Sequence, residues 1–373
     1  MKHTPRSLLD LPWNMTETII SGTSTGRVDR LDFHSLEEAR AFLVNYGCRE
    51  GGNPDAECML RLRRETFAYL DEYLLPDEPD LAVPEDLREE RDIARLLLWT
   101  SLPRSEARQR WACLLVRVMH AFAQCDSFFK DSFGAEIREQ IYGRFEAHVR
   151  RDGDGLRLQC DGHAVPLADF QTRGPKSRFA IASKLLLKGG NATTDLFDWV
   201  GMRFVTLERF DALLVVRYLR AHHLVVFAHI RPDRSRNTLL DIPRLKADMR
   251  EVSQGTDADR IAELRRRVRA YPFPDPPVRS DNPFSSHAYH SIQFTCNQII
   301  RVLPPVAREG GGAHPCAEPI RFLYPYEIQI MDQESYRLAH TGEASHEVYK
   351  ERRRQALKRI LLRDVRHGGA GIG

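Results

Sequence analysis

The sequence predicts an α+β fold, in which a mixed β-sheet flanked by helices follows a mostly helical N-terminal region. Three observations predict it. Residues 1 to about 150 contain apolar side chains mainly at helical spacing. Residues 199–230 contain a strand, a helix and a second strand in succession, the second strand over Leu224–Ile230. Residues 324–330 alternate between apolar and polar side chains, as a half-buried strand does. We therefore expect a helical accessory domain over 1–150 and a sheet-containing domain over 151–373.

Composition limits the class of protein. A chain of 373 residues with 42% hydrophobic residues can bury a core. Its seven cysteines include no CxxC pair and no Cys/His cluster at zinc-ligand spacing, so neither a disulfide framework nor a structural zinc is expected. The net charge of +3, from 55 basic and 52 acidic residues, is too balanced to indicate a nucleic acid or membrane partner by itself.

The sequence shows no membrane or export signal. Its start, MKHTPRSLLDLPWN, has too short an apolar run for a signal peptide, and no stretch is long and apolar enough to cross a bilayer. We expect a cytoplasmic protein that does not bind membranes. Its oligomeric state does not follow from the sequence.

The N-terminal region has clear helix signals but no chemistry. Ser35 and Glu38 predict a capping box before an amphipathic helix that ends near Gly47. Residues 104–129 are apolar on one stripe and nearly apolar elsewhere, which predicts a helix buried by its neighbours. We interpret this region as an accessory domain.

A basic segment follows the turn-rich residues 151–155. Residues 172–176, Thr-Arg-Gly-Pro-Lys, lead into a helical run over 178–188. Lys176 and Lys184 could there direct cations at phosphate groups. Two lysines on a helix also commonly form only a solvated face, and this alternative stays open.

The next segment combines an acid and an arginine with a strand. The apolar run from Trp199 to Val205 predicts a buried strand, with Asp198 at its start and Arg203 within it. A buried arginine requires a partner. In the alternative interpretation Asp198 only caps a turn and pairs with Arg203.

The late strand carries the most informative pattern. Its period of two directs Glu327 and Gln329 to one face and Ile328 and Ile330 to the other. A helix follows the strand, and Gly342 interrupts it. Polar side chains at a strand end beside a helix are a common way to build a site.

The stretch YPYEIQIMDQESYRLAHTGEASHEVYK, residues 324–350, resembles the end of the synthetase domain of RelA/SpoT-type alarmone synthetases. The resemblance is carried, without a gap, by Glu327 to Ile330, Ala339, Gly342, Ala344, His346, Tyr349 and Lys350. In all it covers about residues 172–350, with the segment 231–278 unmatched, and it implies a nucleotidyltransferase-like domain.

The resemblance implies donor and metal positions. Lys176 and Lys184 correspond to the basic motif that binds the donor triphosphate, although Gly174 stands where the family has an arginine. Asp198 and Arg203 match the motif Asp-x-Val-Gly-x-Arg, whose aspartate holds Mg²⁺. Glu327 is implied as the second magnesium ligand and as a catalytic group, with Arg203 beside it.

The resemblance also implies substrate-binding positions. Residues 288–293 resemble a Gly-Tyr-x-Ser-x-His segment in which the tyrosine stacks on the acceptor's guanine. Tyr289 and Ser291 match, whereas Ala288 and Gln293 replace the glycine and the histidine. In the last stretch, three matching residues are candidates for substrate contacts: Gln329, His346 and Lys350. His346 and Lys350 could instead have a purely structural role.

The implied reaction is ATP-dependent transfer of pyrophosphate to the ribose 3′-hydroxyl of a guanine nucleotide, as in (p)ppGpp synthesis. Mg²⁺ prefers one or two protein carboxylates and keeps phosphate oxygens and water as its other ligands, so Asp198 and Glu327 would meet at neighbouring strand ends. Two alternatives stay open. The acceptor could be an adenine nucleotide or the 3′ end of tRNA, which the arginine-rich run 265–267 could contact, or the domain could be an inactive nucleotide-binding module.

Overall fold

The computed structural model describes residues 31–46, 53–103, 106–126, 128–153, 155–160, 163–188, 200–274, 289–303, 319–341 and 346–366. They belong to two compact units. The first unit comprises Met1–Asp126, Ser177–Asp195 and Arg353–Gly373, and the second comprises Ser127–Lys176 and Leu196–Arg352. The predicted domain limits, 1–150 and 151–373, stay a prediction. None of the described helices is both long and apolar enough to cross a membrane.

Among the described residues, helices precede Val149, and strands and helices both occur from there on. The described α-helices are α1 (Leu36–Asn45), α2 (Asn53–Tyr69), α3 (Glu85–Glu89), α4 (Ile93–Trp99), α5 (Ala107–Ala123), α6 (Phe128–Glu146), α7 (Arg178–Lys188), α8 (Asp211–Ala221), α9 (Ile242–Glu251), α10 (Asp257–Arg269), α11 (Gln333–His340), α12 (His346–Leu361) and α13 (Arg363–Arg366). The described strands are β1 (Val149–Asp152), β2 (Gly155–Cys160), β3 (His163–Thr172), β4 (Gly201–Thr206), β5 (Ile230–Asn237), β6 (Ile292–Val302) and β7 (Ile320–Asp332). The predicted α+β class, with a mixed sheet after a mostly helical region, is confirmed.

The first unit is helical and includes α7. Ser35 caps α1 as predicted, because its hydroxyl accepts a hydrogen bond from the backbone N–H of Glu38 at 3.1 Å. On α7, Phe179 packs edge-on against Tyr69 of α2 with ring centroids 5.3 Å apart, and the Tyr69 hydroxyl lies 2.8 Å from that of Ser183. These contacts explain why the helix that follows the basic segment belongs to the helical unit.

The described strands of the second unit form a seven-stranded sheet in the order β1-β2-β3-β4-β7-β6-β5. Among them β4 and β7 pair in parallel, and the other neighbours are antiparallel. The strand predicted over Leu224–Ile230 is wrong. His223 turns the chain with a φ of 52°, a 3₁₀ turn follows at Phe227–His229, and the strand begins at Ile230.

One face of the sheet forms the core of the second unit. Ile328 and Ile330 of β7 and Phe204 of β4 are fully buried in it. Helix α6 packs on this face, and the ring of Phe145 lies 5.8 Å from that of Tyr326. The alternation of the strands therefore directs Glu327 and the other odd-numbered residues of β7 to the opposite face.

The unmatched segment 231–278 contains most of β5 and two charged helices, α9 and α10. Two arginines of the run 265–267 form ion pairs within the protein: Arg265 Nε of α10 lies 2.7 Å from Asp211 Oδ1 of α8, and Arg267 Nη1 lies 3.0 Å from Asp248 Oδ1 of α9. The arginine run thus stabilises the packing of these helices through ion pairs.

A pH dependence follows for Glu263 on α10. The guanidinium groups of Arg266 and then Arg267 lower the pKa of this carboxyl from 4.5 to about 2. Its charged form therefore stabilises the fold fully above about pH 4.5, and this contribution is lost as the pH falls towards 2. We expect Glu263→Gln to lower the urea midpoint more at pH 7 than at pH 3.5, measured by circular dichroism. An equal difference at both pH values would contradict the ion-pair assignment.

Candidate functional site

A row of polar side chains crosses the face of the sheet opposite the core. Pairing registers place Gln171 of β3, Arg203 of β4, Gln329 of β7, Gln293 of β6 and Arg236 of β5 side by side. Five neighbouring strands contribute one residue each. Such a row depends on register, because a shift by one residue would direct the side chains into the core.

Glu327 lies two residues before this row on β7, and both of its carboxylate oxygens accept hydrogen bonds. Oε1 accepts from Arg173 Nη1 at 2.7 Å and from Gln329 Nε2 at 3.1 Å. Oε2 accepts from Gln293 Nε2 at 2.6 Å. The Glu327 side chain is 10% exposed and that of Arg173 is 29% exposed. A nearly buried carboxylate is thus compensated by one cation and two amides.

Arg203 is tied to the same network through Gln329. The Oε1 atom of Gln329 accepts from Arg203 Nε at 3.3 Å and Nη2 at 3.2 Å, and from the hydroxyl of Tyr289 at 3.1 Å. The remaining guanidinium nitrogen of Arg203 donates to Gln171 at 3.4 Å, and its guanidinium carbon lies 5.6 Å from the ring centroid of Tyr336. Within the described part of the chain, the half-buried Arg203 is thus partnered by two amide side chains and an aromatic ring.

The backbone of Arg173 is held in place from α6. The hydroxyl of Tyr142 donates to the carbonyl of Arg173 at 2.7 Å and accepts from the N–H of Gly201 at 3.3 Å. Burial raises the pKa of Tyr142, so its hydroxyl stays protonated and can continue to donate. Arg173 also lines an open cavity of about 440 Å³ with Arg138 and Tyr142.

Three predicted positions meet in the network: Glu327, Gln329 and Arg203. Tyr289 joins them through its hydroxyl. Ser291 is fully buried; its N–H donates to Thr238 Oγ1 at 3.0 Å, and its carbonyl accepts from the N–H of Thr238 at 2.9 Å. The guanine-stacking role of Tyr289 and the substrate role of Ser291 stay predictions.

The predicted lysines lie on three different segments. Lys176 is half-buried at the last position of its segment of the second unit, and Lys184 is half-buried on α7 of the first unit. Lys350 is exposed on α12, where its amine bonds to Glu347 at 2.8 Å. Their roles towards a substrate stay predictions.

Two predicted residues lie wholly or partly outside the described part of the chain. Asp198 lies outside the described residues, and His346 begins α12 with a side chain outside them.

Sequence reasoning assigned no role to Arg173, Gln171 or Gln293, although they complete the network. A signal for Gln171 exists, because Asp169 and Gln171 alternate with the apolar Phe170, as on a strand with one polar face.

The donor set at Glu327 fits one magnesium ligand. Mg²⁺ prefers carboxylate oxygens. Within the described residues Oε2 accepts one hydrogen bond, from Gln293, so one lone pair stays available. Oε1 accepts two hydrogen bonds, from Arg173 and Gln329, so both of its lone pairs are used. Among the described residues no three His, Cys, Asp or Glu side chains form a metal-binding group, and the predicted second ligand, Asp198, is outside that part of the chain.

No protein-family model matches the chain, and no curated protein matches its sequence. Solved structures do match it. One is the small alarmone synthetase 1 of Bacillus subtilis, with 13% identity and a TM-score of 0.29 over 67% of this chain and 90% of that one. Another is the small alarmone synthetase 2 of Bacillus subtilis, with 15% identity and a TM-score of 0.23 over 68% of this chain and 92% of that one.

Both TM-scores lie below 0.5. The class of these two structures is nevertheless the class that residues 172–350 resemble.

Proposed function

We propose that the second unit transfers pyrophosphate from ATP to the ribose 3′-hydroxyl of a guanine nucleotide, as a (p)ppGpp synthetase does. The observation that supports this proposal most directly is the Glu327 carboxylate on the polar face of the sheet, with Arg173 bonded to it and Arg203 in the same network. A carboxylate and two guanidinium groups are the chemistry that phosphoryl-type transfer needs for positioning and charge neutralisation.

Arg173 has two roles in this proposal. It neutralises Glu327 before the donor binds, and the donor phosphates then compete for its guanidinium, because bidentate phosphate pairs are strong. Loss of that partner frees Oε1 of Glu327. Arg173 is the donor to Glu327 that we expect to leave, since Gln329 is buried and Gln293 is bonded to both Gln329 and Glu327 within the sheet.

Glu327 then accepts the proton of the 3′-hydroxyl at its freed oxygen. The 3′-oxygen bonds to the β-phosphorus of ATP, the bond from this phosphorus to the α,β-bridging oxygen breaks, and AMP leaves with the bonding electrons. Mg²⁺, held by Glu327 and the predicted ligand Asp198, would neutralise the charge of the donor phosphates. Gln293 and Gln329 orient the carboxylate.

The test is transfer of labelled β,γ-phosphate from ATP in the presence of Mg²⁺. The acceptors, tested separately, are GDP, GTP, ADP and a short RNA with a free 3′-hydroxyl. We expect AMP and a pyrophosphorylated guanine nucleotide in equal amounts. ATP binding by calorimetry with no transfer to any acceptor would overturn the proposal and favour an inactive nucleotide-binding module.

A further inference from the structure

The β6–β7 pair extends beyond the rest of the sheet. Its register runs over eleven residue pairs, from Ile292↔Ile330 to Val302↔Ile320. Strand β4 pairs with β7 only from Glu327 onwards, and β5 pairs with β6 only up to Cys296. Residues 297–302 and 320–326 are thus a two-stranded extension of the sheet.

One face of this extension is covered by α6. Ile300 and Val302 are buried, and the side chain of Gln140 on α6 bonds to the backbone carbonyl and N–H of Arg301 at 2.7 and 3.1 Å. A two-stranded ribbon is marginal by itself, so the helix stabilises the extension from this side.

The opposite face is exposed and carries two cross-strand pairs, Ile299↔Leu323 and Arg301↔Arg321. We call these four residues the hairpin face. Ile299 is 51% exposed and Leu323 is 54% exposed. Within the described part of the chain, the guanidinium groups of Arg301 and Arg321 have no hydrogen-bond or ion-pair partner. Like charges at directly opposed positions destabilise a sheet. An anion bound between or along the two guanidinium groups would relieve this repulsion.

The hairpin face leads to Glu327. Residues 321, 323 and 327 have the same parity on β7, so they share a face of the strand. Glu327 lies six positions after Arg321, which corresponds to roughly 20 Å at about 3.3 Å per residue. A mononucleotide whose 3′-hydroxyl lies at Glu327 is too short to reach the arginine pair. A longer anionic chain that ends in a ribose can reach it.

We infer that the hairpin face binds the phosphodiester backbone of a single-stranded polynucleotide whose 3′ end lies at Glu327. This inference rests on the proposed function, because that function supplies the ribose hydroxyl as the reacting group. The polynucleotide is a second class of acceptor, and the bonds formed and broken are those of the transfer to a nucleotide. The two guanidinium groups bind phosphates, and the apolar pair between them and Glu327 contacts sugars and bases.

The first experiment measures binding without ATP, so that it does not depend on turnover. A 5′-labelled single-stranded oligoribonucleotide is titrated with the full chain by fluorescence anisotropy at several salt concentrations, with a blunt duplex and an acidic peptide as competitors. The variant is Arg301→Glu with Arg321→Glu. Its control is Arg150→Glu with Arg151→Glu, which makes the same charge change at two exposed residues of the edge strand β1.

We expect the hairpin variant to bind the oligoribonucleotide at least tenfold more weakly and with a smaller salt dependence, by about 1.4 in the slope of log K against log salt for two lost phosphate contacts. The β1 control should bind within about twofold of the unchanged protein. The inference would be overturned if the hairpin variant bound the oligoribonucleotide as tightly as the unchanged protein does. It would also be overturned if the unchanged protein bound the acidic peptide more tightly than the oligoribonucleotide. Circular dichroism checks folding, and Arg301→Gln with Arg321→Gln serves if the first variant does not fold.

The second experiment separates this inference from the proposed function. In the transfer assay the hairpin variant should lose at least tenfold in transfer to an oligoribonucleotide and none to GDP or GTP. An oligoribonucleotide ended by 3′-deoxyribose should bind but accept nothing. If no acceptor is used while the binding difference persists, the proposed function fails and the hairpin face stands as an RNA-binding surface.

Discussion

Replacing Glu327 with glutamine is expected to reduce kcat for pyrophosphate transfer about 10³-fold, in the range of a lost general base. The change keeps the size of the side chain but removes the proton acceptor and the negative charge that faces Arg173. Initial rates at saturating ATP and acceptor measure the effect.

The matched control for this substitution is Glu334→Gln. Glu334 is an exposed carboxylate in the first turn of α11, seven residues further along the same stretch. We expect it to retain transfer within about twofold. Activity of the Glu327 variant equal to that of the control would show that the carboxylate is not the proton acceptor.

Replacing Phe204 with alanine is expected to lower the free energy of unfolding by about 3–5 kcal/mol, the range for a large aromatic side chain removed from a core. Phe204 is fully buried, and its ring lies 4.9 Å from that of Phe170 on β3 and 6.3 Å from that of Phe145 on α6. The substitution would therefore leave a cavity where β4 meets both the neighbouring strand β3 and the helix α6. Urea denaturation followed by circular dichroism measures it.

The comparison variant is Leu207→Ala, three residues further on. Leu207 is 49% exposed, so its truncation should change the free energy of unfolding by no more than about 0.5 kcal/mol. Similar losses for both variants would contradict the assignment of this sheet face to the core.

The pattern of β7 could be predicted because it is local. A period of two in Glu327, Ile328, Gln329 and Ile330 is sufficient to separate a polar face from an apolar one, and the structure has both. The capping Ser35 was predictable for the same reason, since its hydrogen bond spans three residues. The prediction of a strand at Leu224–Ile230 was wrong because apolar residues can be buried in a tight turn as well as in a strand. Leu224 and Val225 are buried in such a turn.

The partners of Glu327 could not be predicted, because they depend on long-range register. Arg173 is 154 residues away in sequence and Gln293 is 34 away. Only the order of β3, β4, β7 and β6 in the sheet brings them together. Residue type alone also did not decide whether the arginines of α10 contact a substrate or other side chains of the protein. Their ion pairs with Asp211 and Asp248 depend on how α8, α9 and α10 pack.

Local spacing along the chain was thus enough to establish the α+β class, the polar face of β7 and the resemblance to alarmone synthetases. Strand pairing in three dimensions established that Arg173, Gln293 and Gln329 surround Glu327, and that Arg301 and Arg321 lie opposite one another. The physical reason is that hydrophobic periodicity acts over a few residues, whereas a hydrogen-bonded site needs atoms within about 3 Å that only the completed sheet provides.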